Sequence, residues 1–395
     1  MKAKSYISRR QFLLVAGAAL GGVVLSGIRH LLGKAGDPVN ETIFLPQIIK
    51  KHISPNPAGK VVHVHNMNAT HWAGETDFWN HVDQTAVNLM VDRGLMLLTG
   101  AQTVADAWRV LLPEYQPGQK IAIKVNFNNN SSDCHDTDGI IDGLIQPVNA
   151  LVSGLALIGV AYSDVHVYDA VRALPDWFVK MGLPGIKFYD AICRTTAGFN
   201  YGPASKVTFF PPAGVIAPIE YVNNVVMNAA YLINMPIMKG NHPIAGVTLG
   251  AKNHFGTVNS PSGMHVLANI VGGTARHDYN PLVDLLRSPL IGGKTILTVG
   301  DGLLAARQFN QAPETWSTFG NQVPNSLFFS VDKVSIDCVM HDLLAAELGT
   351  GLSTRANEYL QLAEAAGVGV FEKGNPWQEP YGSGYQKIQY VRTEL

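Results

Sequence analysis

The sequence has few charged residues and few cysteines, and both shortages exclude classes of protein. Charged residues are 15% of the 395, whereas hydrophobic residues are 47%, a composition that excludes an intrinsically disordered chain. None of the three cysteines lies in a C-x-x-C pair. We therefore expect no iron–sulfur cluster and no cysteine-rich zinc site ligated by this chain alone. The formal net charge of −1 gives no basic footprint, so we expect no nucleic-acid partner.

Several common active-site motifs are also missing. The sequence has no Walker P-loop, no G-x-G-x-x-G fingerprint, no G-x-S-x-G elbow and no H-E-x-x-H helix. These absences remove the most familiar nucleotide-binding, dinucleotide-binding, α/β-hydrolase and zinc-protease interpretations as recognisable motifs.

Residues 1–35 have the features of a twin-arginine export signal. Arg9 and Arg10 precede an apolar stretch rich in glycine and alanine, which is the arrangement that the Tat translocase recognises. The triplet Gly33-Lys34-Ala35 predicts cleavage before Gly36, and an uncleaved membrane anchor is the alternative. We therefore expect a protein of the periplasm or of the outer face of the cytoplasmic membrane.

The rest of the chain alternates strand-like and helix-like segments. Residues 36–60 are rich in proline, glycine and asparagine and predict a linker or arm. Short β-branched runs predict strands at 61–65, 121–125, 165–169, 186–189, 231–235, 295–299 and 327–331. Helical patterns lie at 77–94, 101–112, 142–159, 335–348 and 358–366. We predict one large α/β domain over 61–380, with a mostly parallel sheet, helices on both faces and an irregular β-rich insertion around 190–230.

Polar residues follow several of the predicted strands. In open α/β sheets, ligands bind beyond the carboxyl ends of the strands. Lys124, Asn126, Asp169, Lys239 and Asp301 all stand at such positions. A lysine inside a buried-strand pattern is costly unless it is paired, so we expect Lys124 to have a partner. A cap or turn role is the alternative for the Asp and Asn residues.

The most distinctive segment runs from 231 to 258 and reads YLINMPIMKGNHPIAGVTLGAKNHFGTV. Lys239 and Lys252 stand beside glycines and other small residues, where backbone can approach a ligand closely. Lysine is a point-charge donor suited to a carboxylate or phosphate. These residues predict a site for a small anionic ligand, and two solvated lysines in a surface loop are the alternative.

This segment resembles the central signature of the family known as domain of unknown function 362. The resemblance rests on INMPIMKGNHPIAGVTLGAKNHFG, with weaker support from IKVN at 123–126, VGDGLLA at 299–305 and VDKVSIDCVMHDLL at 331–344. It spans roughly residues 60–370. It implies that the family-pattern positions here are Lys124, Asn126, Lys239, Lys252, Asn253, Asp301, Asp332 and Asp337. Some members carry ferredoxin-type iron–sulfur segments, so the resemblance implies a redox function. This sequence lacks the cysteines of such segments, so the electrons would have to come from a redox partner protein.

Two further groups could hold a metal ion. His63 and His65 share one face of the first strand, and Asp133, Cys134, His135 and Asp136 are clustered in the loop 126–139. Ordinary half-buried histidines and a solvated Asx-rich turn are the simpler interpretations, and they are favoured.

Two functions are consistent with the sequence. The first is an enzyme, redox-linked in one version, in which Lys124, Lys239 and Lys252 hold the anion. Asp169 or Asp301 would then act as the acid/base group or a metal ligand, and Asn253 would orient the substrate. The alternative is a non-catalytic accessory protein of an exported electron-transfer complex, which would use the same cleft without chemistry.

Overall fold

The computed structural model describes residues 59–240, 246–264, 270–271, 274–275, 277–349, 352, 355 and 357–395. The predicted export signal at 1–35 and almost all of the predicted arm at 36–60 lie outside the described residues. No helix in the described ranges combines the length and the apolar character needed to cross a membrane.

One large sheet organises the fold, in the order β13-β1-β12-β11-β6-β2-β3-β4-β5. Its strands are β1 (Lys60–His65), β2 (Lys120–Lys124), β3 (Val165–Tyr168), β4 (Lys187–Asp190), β5 (Thr195–Thr196), β6 (Ala229–Asn234), β7 (Ile237–Gly240), β8 (Val247–Thr248), β11 (Thr295–Ala306), β12 (Ser326–Ser330) and β13 (Gln389–Glu394). β12 is antiparallel to both of its neighbours, and β8 is antiparallel to β7. The other pairings in this sheet are parallel, as predicted. β9 (Ile270–Val271) and β10 (Thr274–Ala275) form a separate antiparallel pair.

Helices cover both faces of this sheet, which confirms the predicted α/β class. They are α1 (Gln84–Thr99), α2 (Val104–Leu111), α3 (Ile145–Ala156), α4 (Asp176–Lys180), α5 (Asn224–Asn228), α6 (Gly250–Asn253), α7 (Pro281–Arg287), α8 (Lys333–Leu348) and α9 (Glu358–Ala365). Alternate strand residues serve the two faces: Ile121 and Ile123 of β2 join the core beneath α1, α2 and α3. Ala122 joins the core beneath α7, α8 and α9.

Side-chain caps fix where the helices begin. Asp83 accepts a hydrogen bond from the backbone N–H of Ala86, and Thr103 accepts one from Asp106. Asp332 accepts from two N–H groups in the first turn of α8. Its position after β12 therefore reflects helix capping.

β11 differs from its predicted extent, and the difference moves Asp301. The prediction ended this strand at 299, but β11 continues to Ala306 and places Asp301 inside it. Gly300 leaves room for Met340, since a Cβ atom at this position would stand 2.4 Å from the sulfur of that side chain and displace it. A glycine next to a polar residue is a common sequence signal for a turn. Here the glycine instead allows α8 to pack closely on the strand.

The predicted insertion around 190–230 has little regular structure after β5. Isolated bridges such as Lys206↔Tyr221 and Phe199↔Asn223 hold it together before α5. Its first loop is also joined covalently to the loop 126–139, because Cys193 forms a disulfide with Cys134 across a Cα–Cα distance of 5.4 Å. The interpretation of Cys134 as a metal ligand is therefore wrong, since a disulfide sulfur has no thiolate to offer.

Candidate active site

An ion pair lies where β2 and β3 end. The two strands are parallel neighbours, with Lys124 opposite Tyr168, so the next residue after β3, Asp169, meets the lysine. The Lys124 Nζ stands 2.9 Å from Asp169 Oδ2, and both side chains are buried. Burial lowers the pKa of Lys124, and the Asp169 carboxylate opposes that shift. The partner expected for this lysine is thus Asp169.

A network of asparagine side chains extends from this ion pair. Asn253 Oδ1 accepts from Lys124 Nζ at 3.2 Å and from Asn126 Nδ2 at 3.1 Å. Asn253 Nδ2 donates to Asn234 Oδ1 at 2.8 Å, and Asn234 Nδ2 donates to the Gly250 carbonyl at 2.9 Å. A buried network in which each amide is satisfied is rigid. It therefore fixes α6 against the ends of β2 and β6.

Asp337 on α8 holds the other end of α6. Its carboxylate accepts from the backbone N–H groups of Gly250 and Ala251 and from the Tyr359 hydroxyl. Burial nevertheless raises the pKa of Asp337 to about 6. A Cβ atom on Gly250 would lie 2.6 Å from the Asp337 carboxylate, so only glycine fits. This contact explains the glycine at position 250.

The backbone after α6 passes directly over the ion pair. A Cβ atom on Gly256 would stand 2.5 Å from Asp169 Oδ1 and 2.6 Å from Lys124 Nζ. Glycine is the residue that permits such a close approach. The segment Lys252–Gly256 is thereby held as one wall of a small cavity.

That cavity is the candidate site. Its volume is about 40 Å³ for the centres of water-sized molecules, which corresponds to roughly three waters at 10–15 Å³ each. Five of the residues predicted from sequence line it: Lys124, Asn126, Asp169, Lys252 and Asn253. Arg172, Thr248 and Phe255 also line it. The space is large enough for a small polar group.

Lys252 differs from the other buried lysines of the site. Its side chain is 5% exposed, and its Nζ lies 4.0 Å from the centre of the Phe255 ring. No carboxylate in the described part of the chain forms an ion pair with it. Burial, reinforced by the positive charges of Arg172, Lys239 and Lys124, lowers the pKa of Lys252 to about 7.

Thr248 is the second polar group with unused bonding capacity. Its side chain is 2% exposed, and its Oγ1 has no hydrogen-bond partner among the described residues. A buried hydroxyl normally finds a partner. Since Thr248 lines the same cavity as Lys252, its hydroxyl and the lysine amine belong to one site.

Lys239 and Asp301 do not line the cavity. The Lys239 Nζ is fully buried, 3.3 Å from the Ile141 carbonyl and 3.8 Å from the Asp142 carboxylate. Burial lowers the pKa of Lys239 and raises that of Asp142. Asp301 accepts from the Leu303 N–H at 3.1 Å, and burial raises its pKa to about 7. Lys239 therefore affects the site through its positive charge, which helps to lower the pKa of Lys252.

The residues considered as metal ligands are engaged in other contacts. His63 is hydrogen-bonded to the Tyr390 hydroxyl at 2.6 Å and to Ser326 Oγ at 2.8 Å, and His65 pairs with Glu394. In the loop, His135 pairs with Asp176, while Asp133 and Asp136 accept from backbone N–H groups two residues later. Within the described ranges, no group of three or more His, Cys, Asp or Glu residues could hold a metal ion.

The sequence reasoning missed Arg172, Thr248 and Phe255. Arg172 lies in an irregular loop three residues after Asp169, and no periodic pattern places it. One signal was available: Arg172 is a cation beside a strand end in a chain with few charges. Thr248 and Phe255 both lie within the segment already singled out at 231–258.

Comparison with known proteins agrees with the resemblance seen in the central segment. The family model described as Domain of unknown function (DUF362) matches residues 187–342. No curated protein matches the sequence. The matched region contains Lys239, Lys252, Asn253 and Asp337, whereas Lys124, Asn126 and Asp169 precede it. Residues 187–342 are thus similar to the DUF362 family.

Proposed function

We propose that the protein binds a small oxyanion in the cavity beside Lys252. The observation that carries this proposal is a buried ammonium group without a carboxylate partner in the described part of the chain. An isolated buried charge is costly, and the cost falls when an opposite charge arrives. A bound carboxylate, sulfate or phosphate supplies that charge.

The balance of charges on the cavity wall supports the same conclusion. Lys124, Arg172 and Lys252 contribute three positive charges, and Asp169 contributes the only carboxylate among the described residues that line the cavity. Lys124 and Asp169 compensate each other, which leaves Arg172 and Lys252 for the ligand. Thr248 offers a hydroxyl donor at the same wall. Such charged and hydroxyl donors suit an oxyanion well.

The proposal includes export. The twin-arginine pattern in residues 1–35 motivates it, and the disulfide between Cys134 and Cys193 supports it, because disulfides persist in oxidising compartments such as the periplasm. The redox-linked role, the redox partner protein and the alternative accessory role stay predictions from the sequence.

Replacing Lys252 with methionine is expected to weaken sulfate binding roughly 10- to 150-fold, the equivalent of a charge-assisted hydrogen bond worth about 1.5–3 kcal/mol. The melting temperature should stay the same or rise, because the variant removes a buried cation that forms no ion pair with a described carboxylate. Isothermal titration with sulfate and thermal unfolding measure the two effects. Lys187→Met, at an exposed position of β4, is the matched control and should change neither. A large loss of stability with sulfate binding intact would make Lys252 structural.

Sulfate affinity is expected to fall as the pH rises above about 7. The free site has a Lys252 pKa of about 7, and a bound anion raises that pKa because it favours the charged amine. Affinity is therefore full below the pKa of the free site. It drops up to tenfold per pH unit above it, until the pKa of the bound site is reached. Sulfate is the suitable probe since it does not titrate in this range. Lys252→Arg, which keeps its charge, should flatten the profile; an equally steep profile in that variant would contradict the assignment.

A further inference from the structure

We infer that the Lys252 amine condenses with the carbonyl group of a small anionic aldehyde or 2-oxo acid to form an imine in this cavity. This inference rests on the proposed function, because the cavity that binds an oxyanion would hold the acid group of the same substrate. It adds a covalent step to binding.

The contacts of the three buried lysines separate Lys252 from the other two. Lys124 Nζ is held by the Asp169 carboxylate and the Val125 carbonyl, and Lys239 Nζ is held by Asp142 and a backbone carbonyl. Those acceptors engage both amines, and the neighbouring carboxylates favour the protonated form of each against the effect of burial. Lys252 has neither kind of acceptor among the described residues, and its Nζ lies over the Phe255 ring. Its amine is therefore available to a carbonyl carbon.

The charges around Lys252 favour the neutral amine. Arg172, Lys124 and Lys239 are the cations that act on it, and Asp169, the nearest lining carboxylate, is already paired with Lys124. A lysine near other cations in a desolvated pocket is the established kind of nucleophilic lysine. Burial beside these cations lowers the pKa of Lys252 to about 7, so at neutral pH a far larger fraction of its amines is neutral than for an exposed lysine.

The cavity supplies the other requirements of the reaction. The nitrogen lone pair forms a bond to the carbonyl carbon, and the carbonyl electron pair moves to oxygen, which takes up a proton. The proton that oxygen takes up is the first proton released by nitrogen, which gives a carbinolamine. The second nitrogen proton then passes to the hydroxyl group, which leaves as water while the nitrogen lone pair forms the C=N bond. The Thr248 hydroxyl, which has no partner in the described residues, stands at the same wall to relay protons. Arg172, which forms no ion pair among those residues, is available for the acid group.

Reductive trapping tests this inference. The full chain is incubated with glyoxylate and cyanoborohydride, which reduces an imine to a stable secondary amine and spares the disulfide, and the modified peptide is located by mass spectrometry. We expect one adduct per chain, at Lys252, formed at least about 10²-fold faster than on exposed lysines such as Lys187, and slowed by sulfate. Lys252→Arg should bind sulfate and give no such adduct.

The outcomes distinguish the two proposals. Sulfate binding with no fast adduct, or with an adduct spread over surface lysines, would overturn the imine and leave the oxyanion site standing. Failure of both sulfate binding and trapping would overturn both. A fast adduct at Lys252 without competition by sulfate would support the amine chemistry and contradict the oxyanion site.

Discussion

Replacing Asp169 with alanine is expected to lower the free energy of unfolding by about 3–5 kcal/mol, the usual cost of breaking a buried ion pair from one side. The variant leaves Lys124, 1% exposed, with only the neutral Val125 carbonyl and Asn253 amide as partners. It also removes the acceptor of the Phe127 and Val171 N–H groups. Urea unfolding measured against the parent protein gives the difference.

Two further variants make this result specific. Asp106→Ala breaks an exposed pair with Arg109 and should cost less than about 1 kcal/mol. Lys124→Met together with Asp169→Ala removes both charges, so the double variant should be more stable than Asp169→Ala alone. If the double variant is the less stable of the two, the uncompensated charge of Lys124 is not the cause.

The partner of Lys124 shows what sequence could predict here. A lysine within an apolar strand, in a chain with 15% charged residues, has to be compensated, and the α/β pattern places the ends of neighbouring strands together. These two arguments bring Lys124 and Asp169 to the same edge of the sheet. Asn126 and Asn253 follow because they flank the same strand end and the same distinctive segment.

Other features depended on information that local patterns do not carry. The pairing of Cys134 with Cys193 spans 59 residues and is set by how two irregular loops meet. Arg172 lies in a third irregular loop, which is hydrogen-bonded to the two loops that carry these cysteines. Asp301 was placed at a strand end because the β-branched run stops at 299. The strand continues through Gly300 and Gly302, where the lack of a side chain lets Met340 of α8 and Phe328 of β12 pack closely on β11.

Removing the disulfide with the double variant Cys134→Ser and Cys193→Ser is expected to destabilise the protein by about 4 kcal/mol, the loop-closure entropy for a separation of this size. It should also weaken sulfate binding, because the disulfide fixes the loops around Arg172. The Asp176 N–H donates to the Cys134 carbonyl at 2.7 Å, and the Ala191 N–H donates to the Arg172 carbonyl at 3.1 Å. These bonds join the loop that carries Arg172 to both disulfide-bearing loops.

A reductant separates this effect from that of the third cysteine, Cys338, which is free and buried. Reduction should lower the stability and the sulfate affinity of the parent protein and of Cys338→Ala, and it should leave the double serine variant unchanged. A parent protein whose sulfate affinity survives reduction would show that other contacts hold Arg172 in place. The arginine would then be positioned by the Asp190 carboxylate, which accepts from the N–H groups of Leu174, Ile192 and Arg194. These hydrogen bonds join the loop that carries Arg172 to the loop that carries Cys193 without a covalent bond.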